Sequence, residues 1–304
     1  MDIETIPAKT IVTRTKSRGW FGVDYNMNIY RGCSHGCIYC DSRSDCYQIF
    51  DFDRVRVKEN ALQIIRDDLC RKVKPGVIAT GSMSDPYNIL ESKLLLTRNA
   101  LELISAYGFG AAIATKSDLV ARDIDVLREI SQTSPVIVKM SVTAGDDELA
   151  RKIEPNVSVT SERFLAISKL AQAGIYCGVL LGPVLPFITD SEDNILRVLR
   201  MSKEAGAKFV HTFMGMTLRS GNREYYYNRL KENFDGIAQK HEYKYGRQYI
   251  NSPPNSRKLW KVFADECMRL GLIYDMAAIT NSYKSGYKVG GQLSFFDIRN
   301  SPGI

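Results

Sequence analysis

Six short apolar runs alternate with segments of helical period along the first 215 residues. This alternation restricts the fold more than any other feature of the 304-residue chain. The runs lie at 24–30, 76–81, 109–115, 135–142, 175–181 and 208–214 and read as strands. Between them, apolar residues recur at three- and four-residue spacing. The pattern predicts helices over 54–73 (Leu62, Ile65 and Leu69 on one face), 93–107, 124–130, 161–173 and 191–205. Thr160 or Ser161 is placed to cap one helix and Ser191 the next, and Gly174 and Gly206 stand where left-handed C-caps belong. Strands alternating with helices build a parallel sheet, and six units fall short of the eight that close a barrel. The expected fold is α/β, an open partial (β/α)6 TIM-type barrel with a C-terminal helical extension. The division expected is a barrel over 1–215, a helical extension over 216–282 and a flexible tail over 283–304. Within the extension, 222–239 and 254–270 read as helices and 240–253 as a polar, aromatic loop; from 283 onward the chain is glycine-rich and reads as extended.

No stretch approaches the roughly 20 apolar residues of a membrane helix. The start, MDIETIPAKTIV, has no basic segment followed by an apolar run, so a cytoplasmic protein without membrane contact is expected. Four of the seven cysteines, at 33, 37, 40 and 46, crowd into one short segment. In a chain of this size without an export signal, that crowding points to metal or catalysis rather than disulfides. Cys70, Cys177 and Cys267 stand among apolar neighbours and read as buried structural thiols.

Cys33, Cys37 and Cys40 form a CxxxCxxC loop after a predicted strand, with Gly32 and Gly36 supplying the turns. Three thiolates so spaced can hold three irons of a 4Fe–4S cubane. The fourth iron is then free to be chelated by the amino and carboxylate groups of S-adenosylmethionine. An electron from the cluster can break the sulfonium C–S bond and release a 5′-deoxyadenosyl radical. Tyr39 sits where the adenine can stack. The competing reading is a closed zinc site completed by His35 and Cys46, although no second CxxC exists. His35 otherwise reads as a solvent-side residue or as one that supports the loop from behind.

The net charge is +7. Residues 219–261 carry ten Lys/Arg against four Asp/Glu, interleaved with Tyr225, Tyr226, Tyr227, Tyr243, Tyr245, Tyr249 and Trp260. Cations alternating with aromatics suit a nucleic acid whose bases stack. The plainer alternative is a solvated helical face whose tyrosines pack on the barrel.

The cluster loop, within NIYRGCSHGCIYC, together with GSMSDPYNILE, LLLTRNALELI, ATKSDLVARD, KMSVTAGDDELARKIEP and GVLLGPVLPFITD, resembles the spore photoproduct lyase-like branch of the radical S-adenosylmethionine superfamily. Members of that branch are often described as DNA repair photolyases. The resemblance runs from about residue 20 to 270. It implies that Ser84 and Asp85 grip the cofactor amino group, that Lys116 meets its carboxylate, and that Ser141 and Thr143 bind its ribose. It implies an external reductant such as flavodoxin or ferredoxin. Two positions depart from the pattern. Met83 stands where the lyase carries a hydrogen-donating cysteine, and Asp41 where many members carry tyrosine. Met83 has no S–H to give, which leaves Tyr87 as a candidate donor.

Near the C-terminus, Gln292, Leu293, Phe295 and Phe296 resemble the short motif that docks bacterial DNA-processing proteins on the sliding clamp, an extended peptide in a preformed groove. The alternative is that these apolar side chains fold back on the barrel. The function expected is radical generation with a nucleic-acid substrate. A radical enzyme acting on a peptide or small metabolite, and a non-catalytic metal-containing DNA-associated adaptor, are the alternatives.

Overall fold

The computed structural model describes residues 3–72 and 74–287. In chain order the strands are β1 (Thr5–Ile6), β2 (Val12–Arg14), β3 (Tyr25–Met27), β4 (Tyr30–Arg31), β5 (Arg56–Lys58), β6 (Val77–Thr80), β7 (Gly110–Thr115), β8 (Val136–Val142), β9 (Cys177–Leu181), β10 (Phe209–Thr212), β11 (Met216–Thr217) and β12 (Ile250–Asn251). The α-helices are α1 (Ala61–Cys70), α2 (Glu91–Leu94), α3 (Leu96–Ala106), α4 (Ile124–Ser131), α5 (Asp147–Ile153), α6 (Thr160–Gln172), α7 (Glu192–Glu204), α8 (Asn222–Asn233), α9 (Ile237–Tyr245), α10 (Ser256–Leu270) and α11 (Met276–Lys284).

The main sheet has the order β10-β9-β8-β7-β6-β3-β2. Its six strands from β3 to β10 pair in parallel, and β2 adds antiparallel at the edge. This is the partial TIM-type barrel that the alternation predicts, and no seventh and eighth parallel strands follow to close it. One face of the sheet presents Ile78, Ile113, Val138, Met140, Val142, Val179 and Val210 to the crossover helices, forming the large outer core. The inner face is closed at one end by a smaller layer in which Phe21, Ile279 and Tyr283 pack on Val77, Ala79, Ala112, Ile137 and Phe209. Tyr283 Oη locks this plug by donating to the Phe21 carbonyl at 2.6 Å.

Several expected boundaries shift. The predicted strand over 24–30 divides into β3 and β4, and β4 joins β5 and β1 in a separate three-stranded sheet. The predicted helix over 54–73 begins only at Ala61, because Arg56–Lys58 pairs with both β4 and β1 as β5. The predicted helix over 222–239 breaks at Gly236 (φ +71°), and α9 then runs through part of the predicted 240–253 loop. Tyr283 and Lys284, expected to be extended, end α11. The clamp-like residues Gln292, Leu293, Phe295 and Phe296 lie outside the described residues. Ser191 caps α7 as expected, accepting from Asn194 N at 3.1 Å. At α6 the cap is instead Val159, whose N–H donates to Glu162 at 2.9 Å. Cys177 and Cys267 are buried, but Cys70 is exposed. It ends α1 one position past Leu69, which holds the buried stripe, and its thiol donates to Tyr107 Oη at 3.2 Å. No described helix is long and apolar enough to cross a membrane.

Candidate active site

The cysteine loop follows β4 and is held by backbone hydrogen bonds from three directions. Cys33 N donates to Phe52 O at 2.8 Å, Ile38 N to Ile153 O at 3.0 Å, and Asn156 N to His35 O at 3.1 Å. Gly32 and Gly36 both have positive φ, +81° and +69°, as the turns require. Cys37 is buried, and Cys33 and Cys40 are partly so; none of the three is in a disulfide. Burial, with the negative charge of Asp85 next, pushes the Cys33 thiol up to about 11. Burial likewise raises Cys37 and Cys40. Protonated thiols crowded on one loop gain most from a cation that displaces their protons. From the other side the loop is covered by the extension: Met216, Leu218, Tyr226, Leu230 and Ala238 pack on Cys37, Ile38 and Tyr39.

A cubane places each thiolate on a different iron, so its ligands stand farther apart than those of a single ion. The donor set fits such a cluster and does not fit zinc. Among the described residues no three His, Cys, Asp or Glu side chains converge on one ion. His35 is buried, not solvent-side, with Nδ1 3.6 Å from Asp85 Oδ2. Burial lowers its pKa, and the Lys116 cation adds to the effect against the pull of Asp85. Cys46 is exposed and accepts from Arg219 Nη1 at 3.4 Å.

The strand ends bring Ser84, Asp85 and Lys116 to the loop. Ser84 Oγ donates to the Gly32 carbonyl. Asp85 accepts from Tyr87 N (2.9 Å) and Thr115 Oγ1 (2.7 Å) on Oδ1, and from Lys116 N (2.8 Å) on Oδ2. A carboxylate offers about four lone-pair positions, so Asp85 is fixed in place with room for one further donor. The Lys116 ammonium lies 5.7 Å from the centre of the Tyr39 ring. Burial opposes its charge, but the negative charges of Cys37, Glu154 and Asp85 outweigh that and raise its pKa. Ser141 is half-buried near the end of β8, and its carbonyl accepts from Arg163 Nη1 at 2.9 Å.

Tyr39 and Thr143 are held more tightly than expected. Tyr39 is buried and its hydroxyl donates to Glu154. Thr143 is fully buried, and its hydroxyl lies within hydrogen-bond reach of Tyr39 (3.1 Å), Glu154 (3.3 Å) and the Gly182 carbonyl (3.1 Å). Glu154 pairs with Arg163 at 2.6 Å, both side chains being 1% exposed. This ion pair is absent from the sequence reading. Its signal was available: Arg163 falls on the apolar stripe of its helix, four and seven residues before Ile167 and Leu170. A charge on a buried stripe calls for a buried partner.

Tyr87 is not brought to the site. Its ring is 2% exposed in the outer core and its hydroxyl donates to Asp123 at 3.1 Å. The aromatics of 219–261 divide. Tyr226 and Tyr245 are buried, Tyr225 stacks on the Arg43 guanidinium at 3.9 Å, and Arg223 is occupied by the carbonyls of Leu218, Gly246, Arg247 and Gln248. Tyr243, Tyr249 and Trp260 are exposed, as are the cations of Lys240, Lys244 and Arg247.

A half-barrel with a three-cysteine loop over the ends of its parallel strands, flanked by a fixed carboxylate and a lysine, defines a class of iron–sulfur enzyme. A model of the Radical SAM superfamily matches residues 27–199. The chain belongs to the radical SAM superfamily, whose enzymes use a 4Fe–4S cluster and S-adenosylmethionine. It is 33% identical over 243 residues to the uncharacterized protein Rv2578c of Mycobacterium tuberculosis, covering 77% of this chain and 71% of that one. It is 28% identical over 262 residues to the uncharacterized protein MJ0683 of Methanocaldococcus jannaschii, covering 85% and 94%. Spore photoproduct lyase complexed with dinucleoside spore photoproduct shares the fold, with TM-score 0.66, 16% identity and 88% and 80% of the two chains aligned. The radical S-adenosylmethionine methyltransferase TsrM from Kitasatospora setae aligns with TM-score 0.52 and 10% identity over 81% and 51%.

Proposed function

We propose that Cys33, Cys37 and Cys40 hold the cluster, that Asp85 and Lys116 grip the cofactor's amino and carboxylate groups, and that the enzyme acts on a nucleic-acid substrate. The cluster supplies the electron that cleaves S-adenosylmethionine. The observation that carries the site is the arrangement itself: three thiols free of disulfides on a backbone-anchored loop, with the Asp85 carboxylate and the Lys116 ammonium beside it. Asp85 is held by three donors and keeps acceptor capacity for an ammonium. Lys116 is the cation nearest the loop, and a buried cation next to a cofactor carboxylate gains the partner it lacks in the free protein. The extension that packs on Cys37, Ile38 and Tyr39 keeps water off one side of the cluster.

Three observations support the substrate: the net charge of +7, the exposed Tyr243, Lys244 and Arg247, and a fold shared with an enzyme whose solved complex holds a dinucleoside. The burial of Tyr226 and Tyr245 and the engagement of Arg223 favour instead a peptide or small metabolite, since these groups are not free to stack on bases or meet phosphates.

The test is anaerobic. Protein reconstituted with iron and sulfide is given dithionite and S-adenosylmethionine, with and without single-stranded DNA or RNA, and 5′-deoxyadenosine is measured by chromatography. Formation by wild type and its loss in Cys37→Ala, together with loss of cluster absorbance and iron, is expected. A Cys37→Ala protein that keeps full iron and the same spectrum rejects the ligand assignment. A rate indifferent to nucleic acid speaks against the substrate.

A further inference from the structure

Lys139 sits in the middle of β8 with its side chain 1% exposed and directed to the inner side of the half-barrel. The direction follows from the pleat: Val138 and Met140 enter the outer core, while Ile137 belongs to the inner layer. Its ammonium lies 4.8 Å from the centre of the Phe21 ring, which forms the floor of the lumen. The neighbouring positions in register are Ala114 on β7 and Gly178 on β9, which leave the space beside it free of large side chains. One step nearer the strand ends, Ser141, Leu180 and His211 are only half-buried, so the lumen opens toward the cysteine loop. No carboxylate among the described residues stands near enough to act on Lys139. Burial alone influences its ionisation and pushes the pKa down to about 7. A second polar group shares the inner side: Tyr25, Met27 and Ile29 all face the outer core, and the buried Oδ1 of Asn28 between them has no partner among the described residues.

An unpaired lysine buried over a phenylalanine destabilises the fold, and an apolar side chain of equal length would fill the same space without that cost. Phe21 offsets part of the cost through the quadrupole of its ring but leaves the charge without a counter-ion. Residues that break local rules in this way are found where a ligand completes them.

We propose that the inner face of the half-barrel is a substrate pocket for a compact oxyanion, a carboxylate or a phosphate, with Lys139 at its base. The proposal rests on the reading above only in taking the lumen under the cysteine loop as the substrate side. The oxyanion forms the ion pair that the protein does not supply, and Asn28 accepts from a hydroxyl or N–H of the same molecule. Lys116 is a separate cation, set among Cys37, Glu154 and Asp85, and is not available for this role. A phosphate on Lys139 fits a nucleotide or a nucleic-acid end, and a carboxylate fits a peptide or a small metabolite.

The test is competitive reductive methylation of the full-length protein at pH 7 with trace formaldehyde and cyanoborohydride, reading each lysine by mass spectrometry. Inorganic phosphate and acetate are the probes. Lys139 is expected to react, and a probe present at ten times its dissociation constant slows the reaction about tenfold. Exposed Lys244 should be unaffected. Protection by phosphate identifies a phosphate-bearing substrate, and protection by acetate a carboxylate. Failure of Lys139 to react, or equal reaction with and without both probes, overturns the proposal. As a second measurement, the protecting probe should raise the thermal midpoint of wild type and not that of Lys139→Met; an equal rise in both places the anion elsewhere and also overturns it. Neither measurement needs cofactor turnover, so each can fail while cofactor cleavage succeeds, and the reverse.

Discussion

Replacing Lys139 by methionine should stabilise this protein, and the gain should depend on pH in a way that only a buried amine produces. The lysine pKa falls from 10.5 in the unfolded chain to about 7 in the folded one. At about 1.4 kcal/mol per unit, that difference is worth about 5 kcal/mol against the folded state. Between pH 7 and 10.5 the unfolded state holds a proton that the folded state has released, so wild-type stability rises with pH across that window. Below pH 7 the penalty is complete, and above 10.5 it is gone. The advantage of Lys139→Met over wild type is therefore expected to be about 4 kcal/mol at pH 7 and to shrink to about 2 kcal/mol at pH 9. Urea titrations of the two proteins, prepared identically at pH 6, 7.5 and 9, give the difference directly. A gain that does not change with pH would refute the reasoning, because it would mean that the amine is not displaced from its ordinary ionisation. So would a variant less stable than wild type at pH 7, because it would mean that the ammonium has a counter-charge.

The buried Glu154–Arg163 pair should behave in the opposite sense. Glu154→Gln leaves Arg163 charged and alone at 1% exposure and is expected to cost roughly 3–5 kcal/mol by chemical denaturation. A double variant, Glu154→Gln with Arg163→Met, should recover most of that loss; additive losses would argue against a coupled pair. Burial opposes the Glu154 charge, but Arg163 and Lys116 hold its pKa below the ordinary value, so the pair's contribution is present at neutral pH and is lost as the pH falls through that lowered pKa. On the extension, charge reversal of the exposed Lys244 and Arg247 to glutamate should weaken single-stranded DNA or RNA binding, measured by fluorescence anisotropy at low salt; unchanged affinity would remove that surface from the nucleic-acid reading.

Sequence alone determined the parallel half-barrel and the chemistry of the loop, because both are written in local pattern. A run of apolar residues has to become a buried strand wherever helices cover it, and CxxxCxxC brings three thiols together through loop geometry alone. Asp85 and Lys116 were legible because they fall directly after strands, where the fold collects side chains. Other features were decided by packing between distant segments. The predicted helix over 54–73 yielded its first turn to β5 because residues 30–31 and 5–6 offered it partners on both sides. Tyr87 lies two residues from Asp85 yet turns away from the site, since Asp123 can satisfy its hydroxyl inside the outer core. The tyrosines of the extension read as a stacking surface, but Tyr226 and Tyr245 became the cover of the cysteine loop and the helices behind it. Lys139 is the clearest case. Its position in an apolar strand was plain in the sequence, but only the pleat, the small residues beside it and the Phe21 floor leave its charge buried and unpaired, because a counter-ion is a property of what surrounds a side chain in three dimensions and not of what precedes or follows it in the chain.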